Sequence, residues 1–230
     1  MSVPRIALIH ATPLAIQPVN RSFQKLWPEA KLQNILDDSL SQDLARVGHL
    51  TADMVERFID LAQYAKRVGC QGILFTCSAF GEAIEAAAAA TGIPTLKPNE
   101  AMFEEALQVA IKAKPHSTET LNIGLVATFA ASLDSMRDEF LAMSAHMKRV
   151  VNLHGMHIPL AMDALAKGQS LEHDQRIAAG IENMPACDVI MLAQFSMAAA
   201  QTLSQTKTIS PVLTSPDCAV IALQHRMKNV

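Results

Sequence analysis

The feature that most constrains this 230-residue chain is that its second half repeats the order of its first. Laying residues 1 to about 115 over the remainder at an offset near 117 brings the blocks into correspondence. Ile6-Ala7-Leu8-Ile9 falls on Ile123-Gly124-Leu125-Val126, and the Ala11-Thr12-Pro13 turn falls beside Ala127-Thr128-Phe129. The run from Gly69 to Cys77 falls on Ala186 to Gln194, and Thr91 to Asn99 falls on Ile209 to Asp217 within a residue. The stretches from Leu32 to Asp38 and from Val150 to His157 match only in kind, each strand-like and ending in polar turn residues.

The blocks themselves are β-branched or aliphatic runs, each followed by a small or polar turn and then a segment of helical period. Gly72 to Phe75 and Val189 to Leu192 are apolar throughout, as strands buried on both faces are. From Thr51 to Val68 the apolar residues Val55, Phe58, Ile59, Ala62 and Ala65 share one helical face. Alternation of this kind predicts an α/β fold of two similar halves, each with a small parallel sheet, related by pseudo-two-fold symmetry. Residues 1–98 with a C-terminal helix at 216–230 would form one lobe and residues 99–215 the other. The active-site cleft is expected between them, because ligands of open parallel sheets sit beyond the strands' carboxyl ends, where helix N-termini attract anions.

Charge narrows the partners. With 19 Lys+Arg against 22 Asp+Glu there is no basic field for a nucleic-acid backbone. No window approaches the roughly 20 uncharged apolar residues that a bilayer span requires, so the expectation is a soluble, cytoplasmic protein without a membrane partner. Cys70, Cys77, Cys187 and Cys218 lack paired spacing, which favours free thiols over disulfides or zinc, and no metal is expected. Neither a GxGxxG turn nor a GxxxxGK[ST] loop occurs, so no dinucleotide or nucleoside triphosphate cofactor is expected, and HExxH and GxSxG are absent as well.

The candidate functional residues are those that follow the strands. In the first half they are His10, Thr12 and Asn20, then Asp37 and Asp38, then Thr76, Cys77 and Ser78. The second half supplies Thr128, Phe129 and Ser132, then His154 and His157, then Gln194, Phe195 and Ser196. Most are neutral hydrogen-bonding groups, set around one thiol. Cys77 precedes a helix start at Ser78 to Ile84, where the helix dipole would depress its pKa and raise its thiolate fraction. Asp37 and Asp38 are equally readable as turn caps. Leu14, Phe80, Phe129, Phe195 and Met197 are expected to shape an apolar substrate pocket.

Taken in order, Ile6 to Pro13 with Asn20, Thr76-Cys77-Ser78, Gly92-Ile93-Pro94 with Pro98-Asn99-Glu100-Ala101, Gly124 to Thr128, and the strand-turn-helix around Gln194 resemble the aspartate/glutamate/hydantoin racemase superfamily. These cofactor-independent enzymes include maleate isomerase and arylmalonate decarboxylase. The resemblance covers nearly the whole chain. It implies a small carboxylate substrate, a homodimer or higher assembly, and two cysteines facing across a planar carbanion that donors stabilise. By the resemblance, Cys77 takes the first cysteine's position, and Thr76, Ser78, Thr128 and Ser196 with adjoining amides hold the carboxylate, while Thr12 and Asn20 correspond to first-loop contacts. The chain departs from the family in placing Gln194 where the second cysteine belongs, with Ser196 two residues on; neither is a base at neutral pH. Three readings follow: isomerisation of an amino acid, hydantoin or unsaturated diacid with Cys77 as the only sulfur, either by one-sided proton transfer with another group opposite or by covalent addition and rotation; decarboxylation of a malonate-type substrate; and carboxylate binding without catalysis.

Overall fold

Apolar runs too short for helices alternate along the chain with amphipathic segments of helical length, and they fold into two separate sheets. The computed structural model describes residues 3–116, 118–147 and 149–228, except the side chains of Ala131, Ser132 and His146, so the Ser132 hydroxyl lies outside the described residues. Two compact units form, Met1–Ala101 with Ala219–Val230, and Met102–Cys218.

The first unit runs β1 (Arg5–His10), α1 (Ile16–Leu26), β2 (Lys31–Leu36), α2 (Ser39–Val47), α3 (Ala52–Arg67), β3 (Gly72–Phe75), α4 (Gly81–Thr91) and β4 (Thr95–Leu96). The chain continues through α5 (Glu100–Ala113), β5 (Leu121–Ala127), α6 (Ala130–Ser144), β6 (Val151–His157), α7 (Ala161–Ala166), α8 (Ser170–Glu182), β7 (Val189–Leu192), α9 (Gln201–Gln205), β8 (Val212–Thr214) and α10 (Ser215–Lys228). Strand order is β2-β1-β3-β4 in one sheet and β6-β5-β7-β8 in the other, parallel throughout. The two halves share one register: Ile6 pairs with Gly72 and Ile123 with Val189. That is the offset of 117 read from the sequence.

One face of the first sheet buries Ala7, Ile9, Ile73 and Phe75 against Met54, Phe58, Ala62 and Ala65 of α3 and Ala83, Ile84 and Ala87 of α4. The helical face of α3 is therefore centred on Met54, Phe58, Ala62 and Ala65; Val55 is only half-buried against the cluster and Ile59 is half-buried. The Thr51 hydroxyl accepts the Met54 N–H and starts the helix, as an N-cap threonine does. Against the opposite face, α10 approaches so closely that a Cβ at Gly72 would meet Met227 Sδ at 2.8 Å and Leu223 Cδ1 at 3.4 Å, which is why this strand begins with glycine. In the second unit Val126, Ile190, Leu192 and Val212 pack with Ile177 and Ile181 of α8. Among the described residues no helix is long and apolar enough to cross a membrane.

Asp37 caps α2 and anchors α3. Its carboxylate accepts the Ser39 N–H at 3.2 Å and hydroxyl at 2.6 Å, and Arg57 donates to it through Nε at 3.1 Å and Nη2 at 2.6 Å. Arg57 Nη1 also reaches Asp43 at 2.9 Å. Burial alone would raise the Asp37 pKa, but the hydrogen bonds from Ser39 and Arg57 and the guanidinium charge outweigh it, so the net shift is downward. A carboxyl more acidic in the folded than in the unfolded chain contributes stability above the unfolded value, and loses it as pH falls toward the folded one. Asp37→Asn is therefore expected to lower the thermal midpoint at pH 7 and to narrow its gap from wild type below pH 4, the region of unperturbed carboxyls at about 3.9. An equal gap at both pH values overturns this account.

Candidate functional site

In a 2-1-3-4 strand order the connections leaving the two central strands diverge, and a crevice opens at their carboxyl ends. In the first unit that place lies after β1 and β3, where His10, Thr76 and Cys77 stand; in the second it lies after β5 and β7, where Thr128 and Gln194 stand.

His10 is fully buried at the end of β1. Its Nε2 lies 2.9 Å from Asn34 Oδ1 and its Nδ1 lies 2.9 Å from Thr76 Oγ1. Facing an amide oxygen, Nε2 carries the proton, which leaves Nδ1 to accept from the Thr76 hydroxyl. Burial lowers the His10 pKa and the bond to Asn34 restores it only in part, so the ring is neutral at neutral pH. Thr76 also ties the strands through its N–H, donated to Ile9 O at 3.1 Å. With its single proton engaged by His10, the Thr76 hydroxyl donates inside the protein. Asn34 carries no signal in the sequence; only the pairing of Leu8 with Asn34 across β1 and β2 puts its amide on the face of His10.

Cys77 follows Thr76 and faces the other way, half-buried against the cluster of Phe75 and Phe80. The α-helix does not begin directly after it: a 3-10 turn, Ser78–Phe80, intervenes with Cys77 as its N-cap, and α4 starts at Gly81. Burial pushes the Cys77 thiol up, and the hydrogen bond from the Ala79 N–H recovers only part of the shift. The expected depression by the helix dipole is thus reversed, because desolvation outweighs the turn's N–H. Alkylation of Cys77 by iodoacetamide is expected to titrate above the ordinary thiol range near 8.5. A midpoint below that range, read by peptide mass spectrometry, overturns this reversal. Of the other thiols, Cys70 and Cys187 precede β3 and β7, at the amino ends, and Cys218 lies in α10 with its pKa pushed up to about 12, chiefly by burial. Cys77 is the one cysteine of the four in the turn after a central strand; Cys218 follows the edge strand β8, buried in the first turn of α10.

Gln194 holds the matching place in the second unit, two residues past its strand and N-cap of the 3-10 turn Phe195–Ala200. Its Oε1 accepts the Thr128 N–H at 3.0 Å and lies 3.3 Å from the Thr128 hydroxyl. Ser196 is half-buried on that turn, and Ser78 is exposed on its own. The Thr12 hydroxyl accepts the Leu14 N–H at 3.5 Å and so caps a short 3-10 turn. Asn20, half-buried in α1, keeps a buried Oδ1 without a protein donor.

Several expectations change. Asp37 is consumed by Ser39 and Arg57 and is structural, while Asp38 is exposed at the N-cap of α2 with no side-chain cap hydrogen bond. Phe80, Phe195 and Met197 are core residues rather than pocket lining, because the turns that carry them point them inward; Leu14 and Phe129 remain exposed. His154 lies 3.1 Å from the Asn152 amide, and His157 is exposed at the end of β6. Among the described residues no group of three or more His, Cys, Asp or Glu is placed to hold a metal ion.

Residues 10–223 match the Asp/Glu/hydantoin racemase family. No curated protein sequence matches significantly. Among solved structures, a glutamate racemase isoform from Bacillus anthracis superposes with a TM-score of 0.69 at 14% identity, over 98% of this chain and 82% of that one. Allantoin racemase from Klebsiella pneumoniae gives 0.65 at 15%, over 98% and 88%. Arylmalonate decarboxylase gives 0.60 at 17%, over 97% and 92%. At such identities the structures speak for the fold of two similar halves, while the sequence match over most of the chain carries the assignment. The chain belongs to the Asp/Glu/hydantoin racemase family, and is a racemase- or isomerase-like enzyme.

Proposed function

We propose that the protein is a cofactor-independent isomerase of a small carboxylate that works through a single thiol, Cys77, with Gln194 as a hydrogen-bonding group in place of a second one. The observation that carries this reading is the equivalence of Cys77 and Gln194, each N-cap of the 3-10 turn after the third strand of its half. A glutamine cannot exchange a proton with carbon at neutral pH, and its oxygen already serves Thr128. Inversion by two opposed bases therefore lacks its second base.

Addition and elimination on an unsaturated diacid needs only one nucleophile. The Cys77 proton leaves to solvent, and the thiolate attacks one carbon of the double bond. The π pair moves to the neighbouring carbon and into its carboxylate, the remaining single bond rotates, and the pair returns as the sulfur–carbon bond breaks. Ser196, with the backbone N–H groups that open the turns after Cys77 and Gln194, supplies the donors for the developing charge, and Thr128, whose N–H and hydroxyl are directed at Gln194 Oε1, holds that glutamine in place. Thr76, its hydroxyl held by His10, contributes by placement.

The test is a panel of maleate, amino acids, hydantoins and substituted malonates in D₂O, followed by NMR. The expected result is cis-to-trans isomerisation with no deuterium on carbon. Deuterium at an α-carbon means proton transfer, carbon dioxide from a malonate means decarboxylation, and stabilisation by a ligand without turnover means a binding protein; each overturns the proposal.

A further inference from the structure

We infer that His10 is a positioning residue for the Cys77 reaction, acting through the Thr76 hydroxyl; this rests on the reading of Cys77 given above. The repeat supplies an internal control. The position equivalent to His10 is Ala127, and there the strand end closes without an imidazole: Ala193 N–H donates to Val126 O at 2.9 Å, as Thr76 N–H donates to Ile9 O at 3.1 Å. The sheet thus does not require His10. A fully buried imidazole is costly unless both nitrogens are satisfied, and here both are, by groups 2.9 Å away. The positions equivalent to His10, Asn34 and Thr76 are Ala127, Gly155 and Ala193, so the cluster belongs to the half in which Cys77 follows the central strand.

The Thr76 hydroxyl has two acceptors within reach, His10 Nδ1 at 2.9 Å and Ile9 O at 3.4 Å, and the shorter, ring-directed bond takes the proton. Just past β3 the backbone is still extended at Cys77, and Thr76 and Cys77 project to opposite sides, the one to His10 and the other to the cluster of Phe75 and Phe80. Strapping Thr76 on one face consequently fixes the peptide from which the thiol projects on the other, and keeps the sulfur against the Ala79 N–H. A displacement of about 1 Å at a reacting group can cost about 100-fold in rate, so such a strap acts on turnover rather than on binding.

Thr76→Val, of nearly equal volume, removes the hydroxyl; Thr76→Ser keeps it; His10→Phe removes the acceptor. With the panel substrate, Thr76→Val and His10→Phe are expected to lower kcat by about 10- to 100-fold with KM nearly unchanged, the double variant no worse than either single one, and Thr76→Ser near wild type. Iodoacetamide alkylation of Cys77 provides a readout independent of substrate: its pH midpoint should move upward in Thr76→Val and His10→Phe, and stay in place in Thr76→Ser. Circular dichroism confirms that each variant is folded, and Thr76→Val stands in should His10→Phe fail to fold. A raised KM at constant kcat, additive losses, or an unmoved alkylation midpoint overturns the inference. If those results come while Cys77→Ala still abolishes turnover, the single-thiol reading survives; turnover that survives Cys77→Ala removes the reading itself.

Discussion

Cys77→Ala is expected to lower turnover of the panel substrate by about 10⁴-fold or more, because in the proposed reaction Cys77 is the nucleophile, and its removal closes the covalent path and leaves only the catalysis of the surrounding donors. The protein should remain folded: Cys77 is half-buried, and loss of one sulfur atom from a cluster edge costs about 1 kcal/mol. Cys70→Ala is the matched control. Cys70 is buried in the same cluster, at the opposite end of the same strand, so its loss should lower stability by a similar amount and leave turnover alone. Cys77→Ser sharpens the test, since a serine hydroxyl keeps size and polarity but is scarcely ionised near neutral pH. The rate of the wild-type enzyme should climb with pH into the range where the raised thiol titrates, and Cys77→Ser should lose that dependence along with the activity. Equal losses in Cys70→Ala and Cys77→Ala, or a wild-type rate that is flat above pH 8, contradict the assignment.

The parts of this molecule that local pattern encodes are readable without coordinates. Apolar runs as uniform as Gly72–Phe75 and Val189–Leu192 have no other stable use than as strands covered on both faces, and their spacing carries the repeat. Cys77 and Gln194 could be set in one register because that repeat holds to the residue through both central strands. What pattern does not encode is which way a turn aims its side chains. Phe80 follows Cys77 by three residues and looks like pocket lining, yet the 3-10 turn folds it under α3, fully buried. The thiol's pKa went the other way for the same reason: the turn that supplies an N–H also buries the sulfur, and burial is the larger effect. Asn34 and Arg57 are partners across 24 and 20 residues, and such long-range polar pairing leaves no trace in periodicity or composition.

The packing that aims Cys77 also yields the largest expected change in stability. Phe58, near the middle of α3, stacks on Phe75 of β3 with ring centroids 5.3 Å apart and meets Phe80 at 4.7 Å. All three rings are buried. Phe58→Ala empties a site closed on every side, so the transfer loss is joined by a cavity term, about 3–5 kcal/mol in all. Total stabilities of about 5–15 kcal/mol leave little margin for that. Urea unfolding should show a much lower midpoint with the slope unchanged, and Phe58→Leu should recover most of it because it refills much of the volume. The effect should reach the chemistry as well. Phe75 and Phe80 bracket Thr76 to Ala79, so a loosened Phe58 site frees both ends of the segment that carries the thiol. In Phe58→Ala, at a temperature where the protein remains folded, kcat should fall while KM changes little, since what is lost is the aim of one sulfur atom and not the donors that hold the substrate. Loss of stability below 1 kcal/mol, or full activity in the folded variant, would show that the aromatic cluster neither holds this unit together nor orients Cys77.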